Sequence, residues 1–167
     1  GLVREVFTQS KVELLMGQIG LGHVRYPTVD GGKSCLGEAQ PLYTNSPWGL
    51  SLVHNGHLIN TDEIRETMRD ERRHINTNSD SELLLNVFAE EMQRKRMGKL
   101  SHEDVFDAVR STMRRCRGGY ACAILIHGVG LLAFRDRNGI RPLCFGKNEK
   151  ADGRTDWMIA SESVAIS

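Results

Sequence analysis

Leu50-Ser51-Leu52-Val53-His54-Asn55-Gly56-His57-Leu58-Ile59-Asn60 is the stretch whose reading decides the fold of this chain. Leu50, Leu52 and Val53 read as a mostly buried strand, Asn55-Gly56 as the sharp turn that ends it, and Leu58-Ile59 as the chain leaving again. The turn has chemical potential. An Asn followed by Gly can offer a side-chain amide N–H and a backbone N–H side by side, which is what a developing oxyanion needs from a preorganised site. Taken alone, Asn-Gly is more often only a turn, because both residues tolerate positive φ. The surrounding residues decide between the two.

Upstream, Gln18 to Tyr26 alternates well enough for a strand, with Ile19, Leu21, His23 and Arg25 on one face. An Arg beside two aliphatics is unusual in a core strand and suggests that the strand end opens into a polar pocket, where a guanidinium can grip a carboxylate. The plainer alternative is a surface Arg at a strand terminus. Pro27 ends the strand. Gly31-Gly32-Lys33-Ser34 lacks the first Gly of a phosphate loop and has no helix-forming run behind it, so nucleotide binding there is rejected. Ala39 to Tyr43 fits a short edge segment, and Asn45 to Gly49 a turn into the central strand.

Downstream come three helices. Asn60 with Glu63, and Ser79 with Glu82, have capping-box spacing, and Ile64 with Met68 gives an apolar helical face. Asp80 falls in the first turn of the second helix, where an acidic residue is already favoured by the helix dipole. Ser101 caps a third helix with Val105, Val109 and Met113 on its face, and Gly118-Gly119 ends it. The remainder is strand-rich: 121–127 and 131–135 around a Gly128-Val129-Gly130 hairpin, a turn at Asp136-Arg137-Asn138-Gly139, then 141–145 and 157–160. Helices and strands come in separate runs, so the fold class is α+β with a largely antiparallel sheet.

Composition narrows the partners. With 167 residues the chain can bury a real core. Lys+Arg 22 against Asp+Glu 21 leaves a net charge of +1, and no basic block points to nucleic acid. The longest weakly charged run, Tyr120 to Phe134, is too short for a membrane helix. Cys35, Cys116, Cys122 and Cys144 have neither disulfide nor metal-ligand spacing. With no signal-peptide pattern, that implies a reducing, cytoplasmic setting and no metal site in these residues.

Five segments taken together are more specific than any one of them. Gly22-His23-Val24-Arg25-Tyr26-Pro27-Thr28, His54-Asn55-Gly56, Asn76-Thr77-Asn78-Ser79-Asp80-Ser81-Glu82, Arg135 to Leu143 and Ala160-Ser161-Glu162-Ser163 occur in unbroken order along the chain. This set closely resembles the glutaminase domain of the amidophosphoribosyltransferase family. Glucosamine-6-phosphate synthase is similar but usually carries Trp-Ala-Thr-His after its Arg. The resemblance implies a four-layer αββα sandwich of the N-terminal-nucleophile hydrolase type, in which a cysteine activated by its own α-amino group attacks the glutamine side-chain amide. It further implies that Asn55 and the Gly56 N–H form the oxyanion hole, that Arg25 pairs with the substrate α-carboxylate with Thr28 also in the substrate pocket, and that Asp80 receives the α-ammonium. In the intact family enzyme the ammonia passes to a phosphoribosyltransferase domain that uses phosphoribosyl pyrophosphate and magnesium to make 5-phosphoribosylamine, the first step of purine synthesis. The family also forms homo-oligomers.

The chain departs from that pattern in one respect: none of its four cysteines stands at a chain start. It begins at Gly1 and stops at Ser167 as Ser161 to Ile166 opens what reads as another helix. The expectation is therefore a partial glutaminase domain over 1–167, inactive without its nucleophile, with the phosphoribosyltransferase domain absent. The rival expectation is a non-catalytic glutamine-binding module. The four cysteines give no support for an iron–sulfur cluster.

Overall fold

The computed structural model describes residues 2–24, 36–95 and 100–166. Its centre is a four-stranded antiparallel sheet in the order β1 (Leu42–Thr44), β2 (Leu50–Leu58), β3 (Gly118–Ile126), β4 (Gly130–Arg135). One face of the sheet is covered by α4 (Asp80–Gln93) and α5 (His102–Arg115), and α3 (Thr61–Asp70) packs through Ile64 and Met68. Two short helices, α1 (Val3–Val6) and α2 (Gln9–Glu13), precede them, and β5 (Cys144–Glu149) pairs with β6 (Thr155–Ala160) in a separate sheet.

Period-two alternation sets the core. Leu50, Leu52 and Leu58 of β2 and Tyr120, Cys122, Ile124 and Ile126 of β3 are buried together with Leu84, Phe88 and Met92 of α4. α4 is buried on most of its circumference because it packs against β1, β2, α3 and α5, so a narrow amphipathic stripe would not suffice. On α5, Ser101 accepts from Asp104 N at 3.2 Å while the Asp104 carboxylate takes Ser101 N at 3.0 Å, a capping box.

Several expectations are corrected. Asn55-Gly56 does not end β2: the strand runs on to Leu58, with Asn55 opposite Ala121 and Gly56 opposite Tyr120. Continuity is possible because Gly56 adopts φ +146°, and a Cβ there would lie 2.2 Å from Gly119 O, so only glycine lets the two backbones approach. Gln18 to Val24 forms no strand, and Ile19 and Val24 are exposed, since no described strand offers that segment a ladder. Asn60 does not cap α3 with its side chain. It instead donates to Arg115 O at 2.9 Å and accepts from Arg117 N at 2.9 Å, tying α3 to the start of β3. Gly118-Gly119 opens β3 rather than merely closing α5, and β5 starts at Cys144, three residues after the expected strand start.

Candidate active site

The site is built on the edge of β2 that faces away from β3. Tyr120, opposite Gly56, donates its N–H to Asp136 Oδ1 at 3.1 Å and its C=O accepts from Asp136 N at 2.8 Å, so both groups point away from β2. In an antiparallel ladder that makes Gly56 and Tyr120 a non-hydrogen-bonded pair, and the Gly56 N–H points to the opposite edge of β2. The neighbours of like parity agree. His54 N donates to Gln40 Oε1 at 2.6 Å, and Leu58 N donates to Asp80 Oδ2 at 3.0 Å.

β1 is too short to cover this edge, because its register with β2 spans only Leu50 to Leu52. Side chains therefore take up the N–H groups of His54 and Leu58, and that of Gly56 lies between them with no side-chain acceptor among the described residues. Asn55 lies on the sheet face opposite the helices, half-buried, and its amide makes no hydrogen bond among the described residues. The two donors expected from the sequence are thus adjacent and open, though on a strand edge instead of a turn.

Asp80, the first residue of α4, has its carboxylate at this edge. Besides Leu58 N it meets His57 Nδ1 at 3.3 Å, and its other oxygen lies 3.7 Å from His54 Nδ1. The helix start is held by Glu82, not by a capping box at Ser79: the Glu82 carboxylate accepts from Asn76 N (2.8 Å), Thr77 N (2.6 Å) and both their side chains. Ser79 accepts from Ser81 N at 3.2 Å. Burial pushes the Glu82 carboxyl up, but the four donors outweigh it and hold it below the usual carboxylate range. Asp136 follows the same pattern: burial raises it, and backbone N–H groups of Tyr120, Asn138, Arg141 and Ile140 bring it down.

His54 is buried beneath the edge. Its Nδ1 is 2.8 Å from Ser81 Oγ, and its Nε2 is buried without a hydrogen-bond partner among the described residues. Burial lowers its pKa most; Asp80 opposes that, while His23, His57 and Arg141 add to it, so the imidazole is neutral near pH 7. Neither buried thiol can serve as a nucleophile, since burial pushes Cys116 up to about 12 and Cys122 well above its ordinary value.

The structure thus brings Asn55, Gly56 and Asp80 together. Arg25 and Thr28 lie outside the described residues, as does Cys35. Gln40, His54, Ser81 and Asp136 hold this edge through contacts that the sequence does not announce, and Glu82 holds the Asn76–Thr77 backbone where a capping box was expected. His54 had a signal: two-residue periodicity puts it on the core face with Leu50 and Leu52, where a polar side chain requires a partner. A cavity of about 320 Å³ between β1 and the Asn76–Thr77 loop, bounded by Pro41, Thr44, His74 and Glu82, neighbours the site but does not contain Asn55 or Gly56.

A family model described as a glutamine amidotransferase domain matches residues 33–167. This chain belongs to the glutamine amidotransferase domain family. Amidophosphoribosyltransferase of Saccharomyces cerevisiae is 53% identical over 167 residues, 99% of this chain and 32% of the relative. That of Escherichia coli is 52% identical, over 99% and 33%. The archaeal one from Methanocaldococcus jannaschii is 33% identical, over 99% and 32%. The chain thus spans about a third of the length of the curated relatives it matches. Among solved structures, the allosteric regulatory enzyme of purine biosynthesis aligns with TM-score 0.75 and 28% identity, over 99% of this chain and 32% of that one. Glutamine phosphoribosylpyrophosphate amidotransferase from B. subtilis aligns at 0.61 and 26%, over 86% and 27%. These likenesses bear out the α+β sandwich of the N-terminal-nucleophile type for this glutamine amidotransferase domain, of which the described residues supply a helix layer, a four-stranded sheet and the β5–β6 pair.

Proposed function

We propose that residues 1–167 are part of the glutaminase domain of an amidophosphoribosyltransferase, releasing ammonia from glutamine for transfer to phosphoribosyl pyrophosphate. The observation that carries this is the open Gly56 N–H between two satisfied neighbours on the β2 edge, with the Asn55 amide beside it. Asn55 and Gly56 donate to the oxyanion that forms when a thiolate attacks the side-chain carbonyl of glutamine, and the charge is stabilised by donors already fixed in the fold. Asp80, held by the N–H of Leu58, which lies two strand positions and roughly 7 Å from Gly56 at about 3.4 Å per residue, takes the α-ammonium. Arg25 grips the α-carboxylate, and Thr28 lines the same end. The attacking thiol and the phosphoribosyltransferase half are placed outside these 167 residues. The relatives matched across 99% of the chain favour this over a glucosamine-6-phosphate synthase-like glutaminase.

The whole protein would act in the cytoplasm as a homo-oligomer; sedimentation of the full-length protein as a monomer would reject the oligomer. No described helix is long and apolar enough to cross a membrane. Magnesium belongs to the phosphoribosyltransferase half in this reading. Among the described residues no three His, Cys, Asp or Glu side chains gather to hold a metal ion.

Glutamate release tests the assignment. The full-length protein should hydrolyse glutamine and the 167-residue polypeptide alone should not. Comparable turnover by the two would remove the external nucleophile, and no turnover by the full-length protein would leave the non-catalytic glutamine-binding module as the better reading.

A further inference from the structure

We infer that Gln40 is a positioning residue: with His54 and Ser81 it forms a latch that fixes the β2 edge so that the Gly56 N–H stays open and aimed at the site. The inference rests on the glutaminase role proposed above for that edge. Gln40 immediately precedes Pro41 and β1, where the ladder has not yet begun, and its side chain does what a further β1 residue would do. Its Oε1 accepts from His54 N at 2.6 Å and its Nε2 donates to Ser81 Oγ at 3.2 Å. Ser81 Oγ is in turn 2.8 Å from His54 Nδ1, so one amide closes a ring through a strand backbone, a buried imidazole and the first turn of α4. Ser81 and His54 are 3% and 4% exposed. An unmade bond among them would leave a buried polar group unsatisfied.

The placement has a chemical consequence. Were Gln40 to let go, the His54 N–H would be a second open donor beside Gly56, and the edge would lose the anchor that holds its twist. Asp80 has its own anchor in Leu58 N, at 3.0 Å, and lies farther, 3.7 Å, from His54 Nδ1. Gln40 therefore governs the oxyanion end and leaves the ammonium end largely alone. Oxyanion charge appears only in the transition state, so the latch acts on kcat more than on KM.

In the full-length protein, Gln40→Met, of similar length but without hydrogen bonds, should lower kcat for glutamine hydrolysis about tenfold, as for one hydrogen bond, with KM within about threefold. Amide hydrogen exchange at His54 should quicken by about the same factor while α5 amides keep their protection. Gln40→Glu keeps the acceptor and should restore slow exchange at His54. Faster His54 exchange with unchanged kcat would overturn the positioning role, as would a kcat loss accompanied by lost protection throughout α5. A wild-type protein that does not hydrolyse glutamine would sink the proposed function and the catalytic consequence, and His54 exchange in Gln40→Met would still show whether the latch exists.

Discussion

The two ends of α4 both gather carboxylates, and they hold them by opposite means. At the N-terminal end, Asp80 and Glu82 are held largely by N–H and O–H groups, with neutral His54 beneath them. At the C-terminal end, Glu90 and Glu91 are held by guanidinium groups: Arg115 Nη1 lies 2.9 Å from Glu90 Oε2 and 2.7 Å from Glu91 Oε1, and Arg94 pairs with both acids. Fixed cations close the far end electrostatically. At the near end, backbone donors position the acids without cancelling their charge, which is what the proposed roles of Asp80 toward a substrate cation and Gly56 toward an oxyanion require.

The largest effect should come from closing the near end sterically. In Gly56→Ala the new Cβ meets Gly119 O at 2.2 Å and Tyr120 Cα at 2.6 Å, at a backbone conformation side chains rarely adopt. The loss should be about 2–6 kcal/mol from overpacking and strain together, read as lost protection of β2 and β3 amides in the full-length protein. Gly128→Ala is the control: φ is +73° but nothing lies within 4 Å, so only a backbone penalty of about 1–2 kcal/mol is expected. Equal losses would mean that β2 and β3 do not approach as described. Removing one donor chemically comes next. Asn55→Ala should lower kcat for glutamine by about 10²–10³ with little change in KM or stability, and a kcat within a few-fold of wild type would leave Asn55 with no oxyanion role.

Asn55, Gly56 and Asp80 stand out in the sequence because their segments carry a family pattern; Asp80 opens its helix as expected, whereas Asn55-Gly56 is strand and not turn. Asn-Gly is a turn signal at short range, and the pairing of Gly56 with Tyr120, 64 positions away, overrides it. Capping boxes at Asn60 and Ser79 failed for the same kind of reason: Asn60 is claimed by Arg115 and Arg117, and Glu82 by Asn76 and Thr77. Ser101, on an exposed helix start, caps its helix as expected, and Asp104 completes a box that was not anticipated. Element types in the helices and in the β3–β4 hairpin follow from periodicity, whereas Gln40 is invisible to it. Its role depends on where β1 stops covering β2.

Asp80→Asn separates a helix-start acid from a substrate ligand. As a helix-start charge, Asp80 contributes about 0.3–1 kcal/mol, and its loss should leave glutamine recognition intact. As the acceptor for the α-ammonium, its neutralisation removes about 1.5–3 kcal/mol of charge-assisted bonding, raising KM for glutamine about ten- to 150-fold. The Asn side chain still offers an oxygen to Leu58 N, so the strand edge should hold. A glutamine analogue lacking the α-amino group has no cation to lose, and its kcat/KM should change much less; equal losses on both substrates would deny Asp80 that contact.

The smallest effect is a difference in pH response between the two ends of α4, and it follows from the sign of each shift. Glu82 is held below its unfolded value, so its contribution is present above about pH 4.3, the ordinary Glu value, and is lost as pH falls through its lower folded pKa. At the far end, Glu71 is pushed up, first by its hydrogen bond to Glu90 and then by burial. Its contribution is complete below about pH 4.3 and is lost as pH rises through the raised folded value. Glu90 has the opposite slope: burial raises it, but its hydrogen bond with Glu71 and the Arg115 and Arg94 guanidinium groups bring it below its ordinary range. The two shifts oppose each other at the far end, so acidification should loosen the first turn of α4 more than the last. With exchange rates corrected for the intrinsic pH dependence, protection of the Leu83 to Leu85 amides should fall a few-fold more than that of Met92 and Gln93 on going below pH 4. Glu82→Gln should remove most of that acid response at the near end. Glu71→Gln, which cannot ionise, should raise far-end protection near pH 7. Parallel pH slopes at both ends, or a Glu82→Gln protein with the acid response of wild type, would show that the donors around Glu82 do not set its charge.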